Sequence, residues 1–517
     1  MSTIPQDDEG VIETKVAHPQ ELDILDAKDN LGIIGIDESE NLKRNLSMLG
    51  IVAVSFDLTN SWIGIATSLA IAIALGGTVT LLYGVILVSV MFLANGATLA
   101  ELASVYPTAG GQYHFTSILA PPRISKPLSY ACGLLAAFSW IATVASVNLI
   151  MAQVLLAVVI QFTEDYTPKT WHYFLLYQAI NIMILLYNVY LVKKTTWIYD
   201  IGFFWTLALF VVITVTCVAI SRPKQSSSSV WTMFENNSGW PDGISFLTGT
   251  STPQYMFVGI DASLHLAEEC LDAARIVPKA VMSVVGIGFV TAFAYAIAIS
   301  YSLNDLASVI STKTGFPTYE LWIQATKSEA AATVFMVALM VALPIGLNAM
   351  QQTTSRLTWA LARDDALILS TYLSRVHPKL NVPVQALLFN AAIVLLIGCL
   401  YMASTTAFNA FIATCAILQQ ISFGIPAALM VYQRRPEHLL PRTRSFRLPK
   451  VLGYGANGAC VLWSVIATVF YLFPATRPVT TSNMNYAVVV IGIMCIFGLL
   501  NWFFHARNTY RGPRIEY

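Results

Sequence analysis

Long apolar runs separated by short polar segments fill the chain from residue 48 onward. Each run approaches or exceeds the roughly 20 residues that an apolar helix needs to cross a bilayer. Because backbone polar groups find no partners in lipid, helices are the main option for such runs. There are twelve of them, at 48–75, 78–100, 128–160, 173–192, 197–220, 246–267, 281–302, 331–354, 384–402, 406–432, 452–473 and 486–505. The pattern predicts an all-α polytopic membrane protein with twelve transmembrane helices.

Composition agrees with this pattern and excludes several classes of protein. Hydrophobic residues make up 56% of the 517 residues and charged residues 11%, where a soluble protein carries about 25% charged residues. A soluble core of this size cannot hide so many apolar side chains, which excludes a soluble enzyme, a nucleic-acid-binding protein and a disordered scaffold. The seven scattered cysteines contain no CxxC pair, so we expect buried thiols and no metal site.

Motifs for catalysis and for nucleotide binding are missing from the sequence. It contains no P-loop, no HExxH, no GxSxG and no cluster of histidine ligands. An ATP-driven pump or a membrane hydrolase would need one of these sets of residues. We therefore expect neither enzymatic activity nor a cofactor.

The distribution of charge predicts the topology. Residues 1–45 are polar and hold eleven of the 29 acidic residues, so we interpret this segment as a disordered cytosolic tail. With the N-terminus inside, 23 Lys and Arg residues fall on the inner side and six on the outer side, a strong positive-inside signal. The twelve-helix domain then covers 46–506, and both termini, including a short tail at 507–517, are cytosolic. Asn236 begins an Asn-Asn-Ser sequon in a loop that this topology places outside, so it is a candidate glycosylation site.

Two of the twelve runs carry polar and helix-breaking residues at membrane depth. The first contains Asp57, a Thr-Asn-Ser stretch at 59–61 and Gly64, and the sixth contains Pro253 and Gly259. Interrupted runs at corresponding places in two halves point to the binding site of a transporter. The exposed carbonyls of such a break can hold a cation, and the half-helix that follows offers N–H groups to a carboxylate. The alternative interpretation is a pair of kinked structural helices.

Ionisable residues inside the bilayer give a second indication of a site. Among the acids after residue 45, only Asp57 and Asp261 fall well inside predicted spans, and each costs a few kcal/mol unless it is paired or hydrated. Three roles remain open for them: counter-ion to a substrate cation, proton carrier in coupling, or structural cap of a helix end. His265 follows Asp261 by one helical turn and is either a proton sensor or an interfacial histidine bonded to a backbone carbonyl.

Four stretches resemble the amino acid–polyamine–organocation superfamily, and most closely its fungal branch of amino-acid, GABA and choline permeases. The most specific is Glu-Leu-Ala-Ser-Val-Tyr-Pro-Thr-Ala-Gly-Gly-Gln-Tyr at 101–113. The others are Ser-Trp with Gly64 in the first run, Phe-Val-Gly-Ile-Asp at 257–261 with His-Leu-Ala-Glu-Glu at 265–269, and Ser-Arg-Leu-Thr-Trp at 355–359. Together they cover the chain from about residue 45 to 505.

The resemblance implies a leucine-transporter-like core of five plus five inverted spans, with spans eleven and twelve outside it. It also implies uptake of a small amine-bearing solute by alternating access, usually with protons. The residues that it assigns to the substrate lie at the two breaks: Thr59, Asn60, Ser61, Trp62, Gly64, Tyr255, Met256, Phe257 and Gly259. Coupling or counter-ion roles go to Asp57 and Asp261. A gating motif on the cytosolic side would comprise Glu101, Glu268, Glu269 and Arg356.

Two departures from the family pattern bear on coupling ion and substrate. Some proton-coupled members carry a lysine within span five in place of a sodium site, and the run at 197–220 has none. The glycine-rich break of many relatives is replaced by Asn-Ser-Trp at 60–62, which narrows the site.

The sequence favours a permease for GABA or a related zwitterionic amino acid, bound between spans one, three, six, eight and ten and coupled to protons. A choline or polyamine permease of the same fold is the alternative, since Asp57 and aromatic residues such as Tyr255 suit a cation. An alternative of another class is a nutrient sensor that binds its ligand without transport. The plasma membrane is the expected location, with the vacuolar membrane as the other possibility.

Overall fold

The structure is a computed structural model that describes residues 47–163, 165–481 and 483–513. The expected acidic tail at 1–45 and the end of the C-terminal tail at 514–517 lie outside the described residues.

Eleven helices among the described residues are long and apolar enough to cross a membrane, judged by length and composition. Spans one to five are Met48–Ala74, Gly77–Ala103, Ser125–Phe162, Thr170–Tyr190 and Trp197–Ile220. Spans seven to twelve are Ala273–Ser302, Glu329–Arg363, Val384–Ala403, Thr405–Tyr432, Lys450–Phe470 and Ala487–Thr509. The sixth predicted run, here called span six, is divided into the short helices Asp242–Gly249, Ser251–Tyr255 and Ala262–His265. The prediction of an all-α polytopic membrane protein is confirmed: eleven of the twelve predicted runs are helices long enough to span, and the sixth is divided.

The connections between spans contain further short helices. These are Gln112–Leu119, Ser227–Thr232, Leu306–Ile310, Pro317–Thr326 and Ser370–Leu373, with a 3₁₀ turn at Ala267–Glu269. Gln112–Leu119 packs against spans three and ten, and Pro317–Thr326 packs against spans five and eight. These helices therefore join distant spans at the two ends of the bundle.

The packing of the spans agrees with the two repeats of five that the family resemblance implies. Span two packs against span seven, span three against span eight, and span four against span nine. The second half of span one likewise packs against the helix Ser251–Tyr255 of span six. Each of these spans thus contacts the one five places further on, as expected when two inverted repeats face each other across a pseudo-two-fold axis. Span eleven packs on spans two and ten, and span twelve packs mainly on span ten, outside this core.

Span one is interrupted at Asn60, as its polar residues predict. The helix Met48–Thr59 ends there, and the helix Ser61–Ala74 begins at the next residue. Asn60 has φ 35° and ψ 64°, a left-handed conformation that asparagine adopts more readily than most residues. Its N–H donates to the carbonyl of Phe56 at 2.7 Å. The side-chain oxygens of Asn60 and Ser61 are buried without a hydrogen-bond partner among the described residues.

Span six is interrupted between Tyr255 and Ala262, directly beside the break in span one. Gly259 has φ +93° there, and a Cβ on it would collide with Leu58. A Cβ on Gly64 would stand 2.9 Å from the backbone Cα of Met256. The two interrupted backbones therefore approach closely, and glycine is required on each of them.

Replacing Gly64 by Ala should destabilise the protein, because the new methyl group meets backbone that cannot rotate away. We expect overpacking to cost about 1–3 kcal/mol. Thermal unfolding of the detergent-purified protein checks this, with Gly286→Ala as the matched control, since Gly286 in span seven has no atom within 4 Å of an added Cβ. A Gly64→Ala protein that melts with the Gly286→Ala control would contradict the close approach of the two breaks.

Candidate functional site

A cavity of about 40 Å³ lies where spans one, three, six and eight meet. Its walls come from both breaks and from the facing surfaces of spans three and eight. They comprise Asp57, Leu58, Thr59, Asn60, Ile63, Gly64, Thr67, Thr143, Val147, Ile150, Tyr255, Val258, Ala342, Leu343, Gly346, Leu347 and Met350. A volume of this size holds only a few water molecules. A larger solute therefore fits only after the walls move apart.

Four of the nine expected substrate residues line this cavity: Thr59, Asn60, Gly64 and Tyr255. The lining side chains of spans three and eight were not singled out from the sequence, because apolar residues on long helices carry no signal of their own. Span ten was also expected at the site but supplies none of these lining residues.

The other expected substrate residues lie near the breaks but point elsewhere. Trp62 is fully buried against Tyr295, with ring centroids 5.5 Å apart. Phe257 stacks on Phe92 at 5.0 Å. Ser61 faces span seven, where a Cβ on Gly288 would collide with its hydroxyl. Met256 and Gly259 contribute backbone to the contact between the breaks, as described above.

Tyr255 is the aromatic residue on the cavity wall. Its hydroxyl forms a 2.6 Å hydrogen bond with the hydroxyl of Ser146 on span three. This bond links the two spans and fixes the ring beside the cavity. Tyr255 thus places an aromatic side chain at the cavity, the residue type whose ring attracts cations.

Asp57 is the only acidic residue on the cavity wall in the described part of the chain. Its side chain is buried, and both carboxylate oxygens lack a hydrogen-bond partner among the described residues. The hydroxyl of Thr206 on span five donates instead to the carbonyl of Gly202 at 2.7 Å. A buried carboxylate without partners is costly, so this position requires either a bound cation or a proton.

Two glycines make the space that Asp57 occupies. A Cβ on Gly202 of span five would stand 2.6 Å from the carboxylate oxygen Oδ2 of Asp57. A Cβ on Gly346 of span eight would stand 2.6 Å from the backbone carbonyl of Asp57. Side chain and backbone of Asp57 are thus held between these spans. Span five contains no lysine. The carboxylate of Asp57 lies instead against the backbone of span five at Gly202.

Asp261 has the opposite environment, although its side chain is also buried. Its Oδ2 accepts from Gln112 Nε2 at 2.6 Å and from Trp140 Nε1 at 3.3 Å, and lies 3.2 Å from His265 Nε2. Its Oδ1 accepts from Gln419 Nε2 at 3.1 Å. These partners come from the helix after span two, from span three, from span ten and from span six itself. Asp261 therefore joins four segments and does not line the cavity.

Sequence reasoning did not find three of these partners. Gln112 lies in the stretch 101–113 that carries the family resemblance, and Gln419 interrupts an apolar run, so each left a weak signal. Trp140 left none, because a tryptophan in an apolar span is unremarkable by pattern.

The expected gating residues form ion pairs at the end of the bundle that the topology predicts to be cytosolic. Glu101 contacts Arg435 at 2.5 Å and Arg444 at 2.8 Å, and so ties span two to the segment between spans ten and eleven. Glu269 contacts Arg356 at 2.7 Å and Lys193 at 2.5 Å. In a third pair, Glu268 contacts Arg363 of span eight at 3.2 Å. The pairs of Glu268 and Glu269 thus connect the segment after span six to span eight and to the segment after span four.

Electrostatics keeps Glu269 ionised. Burial raises the pKa of this carboxyl, but Arg356 and Lys193 outweigh burial and lower the pKa to about 2. The pair is therefore intact across the physiological pH range.

Asn236, the candidate glycosylation site, lies in a turn that uses its side chain. Its Nδ2 donates to the carbonyl of Trp240 at 2.7 Å and to Asp242 Oδ1 at 2.8 Å. Its Oδ1 accepts from the N–H and the hydroxyl of Ser238. Glycosylation at this asparagine stays a prediction, and it would remove one of the two N–H groups of Nδ2 and so at least one of these two hydrogen bonds.

Comparison with known proteins shows what the chain is similar to. A family profile described as amino acid permease matches residues 46–495. A choline transporter of Saccharomyces cerevisiae is 34% identical over 507 residues, which cover 96% of this chain and 89% of that protein. The transmembrane transporter swnT of Metarhizium robertsii is 30% identical over 470 residues, covering 91% and 92%. The amino-acid permease BAT1 of Arabidopsis thaliana is 28% identical over 491 residues, covering 92% and 94%.

Replacing Glu269 by Gln should destabilise the protein at neutral pH, because it leaves the guanidinium of Arg356 buried without its counter-charge. Loss of one partner of a buried pair costs about 3–5 kcal/mol. The lowered pKa of Glu269 means that its stabilising effect is complete above the unfolded value of 4.5 and is lost as pH falls toward about 2. We expect the gap in melting temperature between wild type and variant to be constant from about pH 7 to 5 and smaller at about pH 4. An equal gap at all three pH values would contradict the ion-pair assignment.

Proposed function

The chain belongs to the amino acid permease family, and we propose that it transports a small organic cation, with choline as the reference substrate, by alternating access. The membership confirms the resemblance to the amino acid–polyamine–organocation superfamily and makes the chain a multi-pass membrane permease. Its relatives are named as transporters and permeases, not as enzymes. The choice among substrate classes is our proposal and rests on the charge of the cavity wall.

The carboxylate of Asp57 is the observation that carries the proposal. Asp57 lines the cavity, its side chain is buried, and neither carboxylate oxygen has a hydrogen-bond partner among the described residues. A quaternary ammonium group cannot donate hydrogen bonds, so a carboxylate with free oxygens and an adjacent aromatic ring offers it attraction through charge and through the ring quadrupole. Tyr255 supplies that ring from the other broken span. The yeast relative, which is named a choline transporter, agrees with this chemistry.

A zwitterionic amino acid such as GABA is the second candidate. The helix Ser61–Ala74 begins at the break without a side-chain cap from Asn60, so its first N–H groups and the positive end of its dipole are available to a carboxylate. In that case Asp57 would bind the ammonium group of the same molecule. The amino-acid permease of Arabidopsis among the relatives agrees with this candidate.

Coupling, orientation and location complete the proposal. We propose that protons drive uptake, that both termini face the cytosol, and that the protein resides in the plasma membrane, with the vacuolar membrane as the alternative. The positive-inside distribution of Lys and Arg supports the orientation. Net flux of substrate distinguishes this proposal from a sensor that binds without transport.

Uptake by the purified protein in liposomes tests the substrate class. Vesicles preloaded with unlabelled choline, GABA, a neutral amino acid or spermidine receive the labelled form of the same compound outside. We expect exchange of choline and much weaker exchange of GABA. Exchange of GABA without choline would overturn the cation proposal in favour of the zwitterion, and binding of either compound without exchange would favour the sensor.

Replacing Asp57 by Asn should weaken choline transport, because the amide keeps the shape but removes the charge that attracts the ammonium group. Two opposite charges a few Å apart attract by about 3–4 kcal/mol at an effective dielectric constant of about 20, part of which desolvation offsets, so KM should rise at least about tenfold. Glu329→Gln is the matched control, since it also removes one negative charge, from an exposed position at the start of span eight. An Asp57→Asn protein with the KM of this control would remove Asp57 from the site.

Replacing Gly202 by Ala should impair choline transport although Asp57 itself is not mutated. The added methyl group lies 2.6 Å from the carboxylate oxygen, so it displaces that oxygen from its present position. We expect KM for choline to rise at least several-fold, compared with Gly455→Ala, where an added Cβ has no atom within 4 Å. Equal KM values for the two variants would show that the position of the carboxylate against span five is irrelevant to binding.

A further inference from the structure

The contact between His265 and Asp261 contains one proton more than a neutral histidine can supply. The side chains of both residues are almost fully buried, and His265 Nε2 lies 3.2 Å from Asp261 Oδ2. The other ring nitrogen, Nδ1, lies 2.8 Å from the backbone carbonyl of Ala109. A carbonyl oxygen only accepts, so Nδ1 carries a proton. A carboxylate oxygen also only accepts, so a second proton must lie between Nε2 and Oδ2.

The remaining partners of Asp261 indicate that its carboxyl is ionised and that the second proton belongs to the imidazole. Three further N–H groups point at its two oxygens, from Gln112, Trp140 and Gln419. The amide oxygens of both glutamines are left buried without a partner among the described residues. N–H donors that point at a carboxyl group favour its ionised form. Here two of the donors do so although the oxygens of the same amides stay unpaired. The pair is therefore an imidazolium and a carboxylate.

Other charged groups near this pair have partners of their own or face away from it. The helix Ala262–His265 packs against spans one, seven and eight. Asp57 of span one borders the cavity. Glu268 pairs with Arg363, and Glu269 pairs with Arg356 and Lys193. Asp364 accepts a hydrogen bond from the hydroxyl of Tyr113. His265 is the one titratable group in the described part of the chain that contacts Asp261.

The proton on His265 joins two elements of the bundle. The carbonyl of Ala109 is bonded to His265, and the N–H of the same residue donates to Glu268 Oε1 at 3.1 Å. A Cβ on the neighbouring Gly111 would stand 3.1 Å from the imidazole carbon Cε1. The segment after span two is thus held against the inner part of span six. Removing the proton from Nε2 would set a lone pair against the carboxylate and weaken this contact.

We propose that His265 and Asp261 together form the proton-binding site that couples substrate transport to a proton gradient. In the closed contact the imidazolium shares its Nε2 proton with Asp261. When the contact opens to water, Nε2 gives that proton to a water molecule and the imidazole becomes neutral. The inference rests on the proposed transport function, but it concerns the driving force and not the substrate.

The test compares two measurements on the same liposomes. Exchange of labelled choline against internal choline needs no net proton movement, whereas accumulation under an imposed pH gradient does. With the membrane potential clamped at zero, a gradient of one pH unit should give about tenfold accumulation if one proton accompanies each substrate. A pH-sensitive dye inside the vesicles reports proton entry when choline is added.

His265→Gln is the decisive variant, since its amide can still donate a hydrogen bond but cannot bind or release a proton in this range. We expect exchange within about twofold of wild type, with accumulation and proton entry lost. Asp261→Asn should uncouple transport in the same way. His114→Gln is the matched control: His114 is also buried, outside the spans, and burial together with Arg363 lowers its pKa to about 4. It is neutral at working pH and should remain coupled.

Three results would overturn the proposal. Wild-type protein that exchanges choline, but admits no protons when choline is added to vesicles without internal choline, would exclude proton coupling itself. Tenfold accumulation retained in both His265→Gln and Asp261→Asn would place the coupling proton elsewhere. Parallel loss of exchange and accumulation in both variants would give the pair a structural role only. If the cation proposal itself is wrong, wild-type protein does not exchange choline. That outcome differs from all three results above.

Discussion

Lipid offers no hydrogen bonds to a peptide backbone, so a transmembrane helix can be interrupted only where other protein surrounds the interruption. In this chain each break is surrounded largely by the other. Gly64 lies against the backbone of Met256, and Gly259 lies against Leu58. The cavity, the uncapped start of the helix Ser61–Ala74 and the position of Asp57 all depend on this mutual contact.

Two buried aspartates then take different roles because their surroundings differ. Asp261 is surrounded by four N–H donors from four segments, which holds the inner part of span six in place. Asp57 has no such partners and borders the cavity. One carboxylate therefore organises the bundle and the other remains available to a ligand. The ion pairs of Glu101, Glu268 and Glu269 close the end of the bundle beyond Asp261.

The sequence predicted the features that depend on local composition. Twelve apolar runs, the break at Asn60 and the divided sixth span follow from hydropathy and from polar or helix-breaking residues at membrane depth. Which break residues line the cavity could not be predicted, because a left-handed residue resets the phase of the next helix, and Trp62 turns toward Tyr295. The partners of Asp261 and the fit of Gly202 against Asp57 were also out of reach, since they join segments about 150 residues apart.

An experimental structure of the protein with bound choline tests the central claim most directly. The account predicts the ligand between the two breaks, with its quaternary nitrogen close enough to the carboxylate of Asp57 and the ring of Tyr255 for direct contact, within about 6 Å of the ring centroid. The walls from spans three and eight should have moved apart to admit it. A ligand bound elsewhere, with Asp57 engaged by a protein donor, would contradict the account.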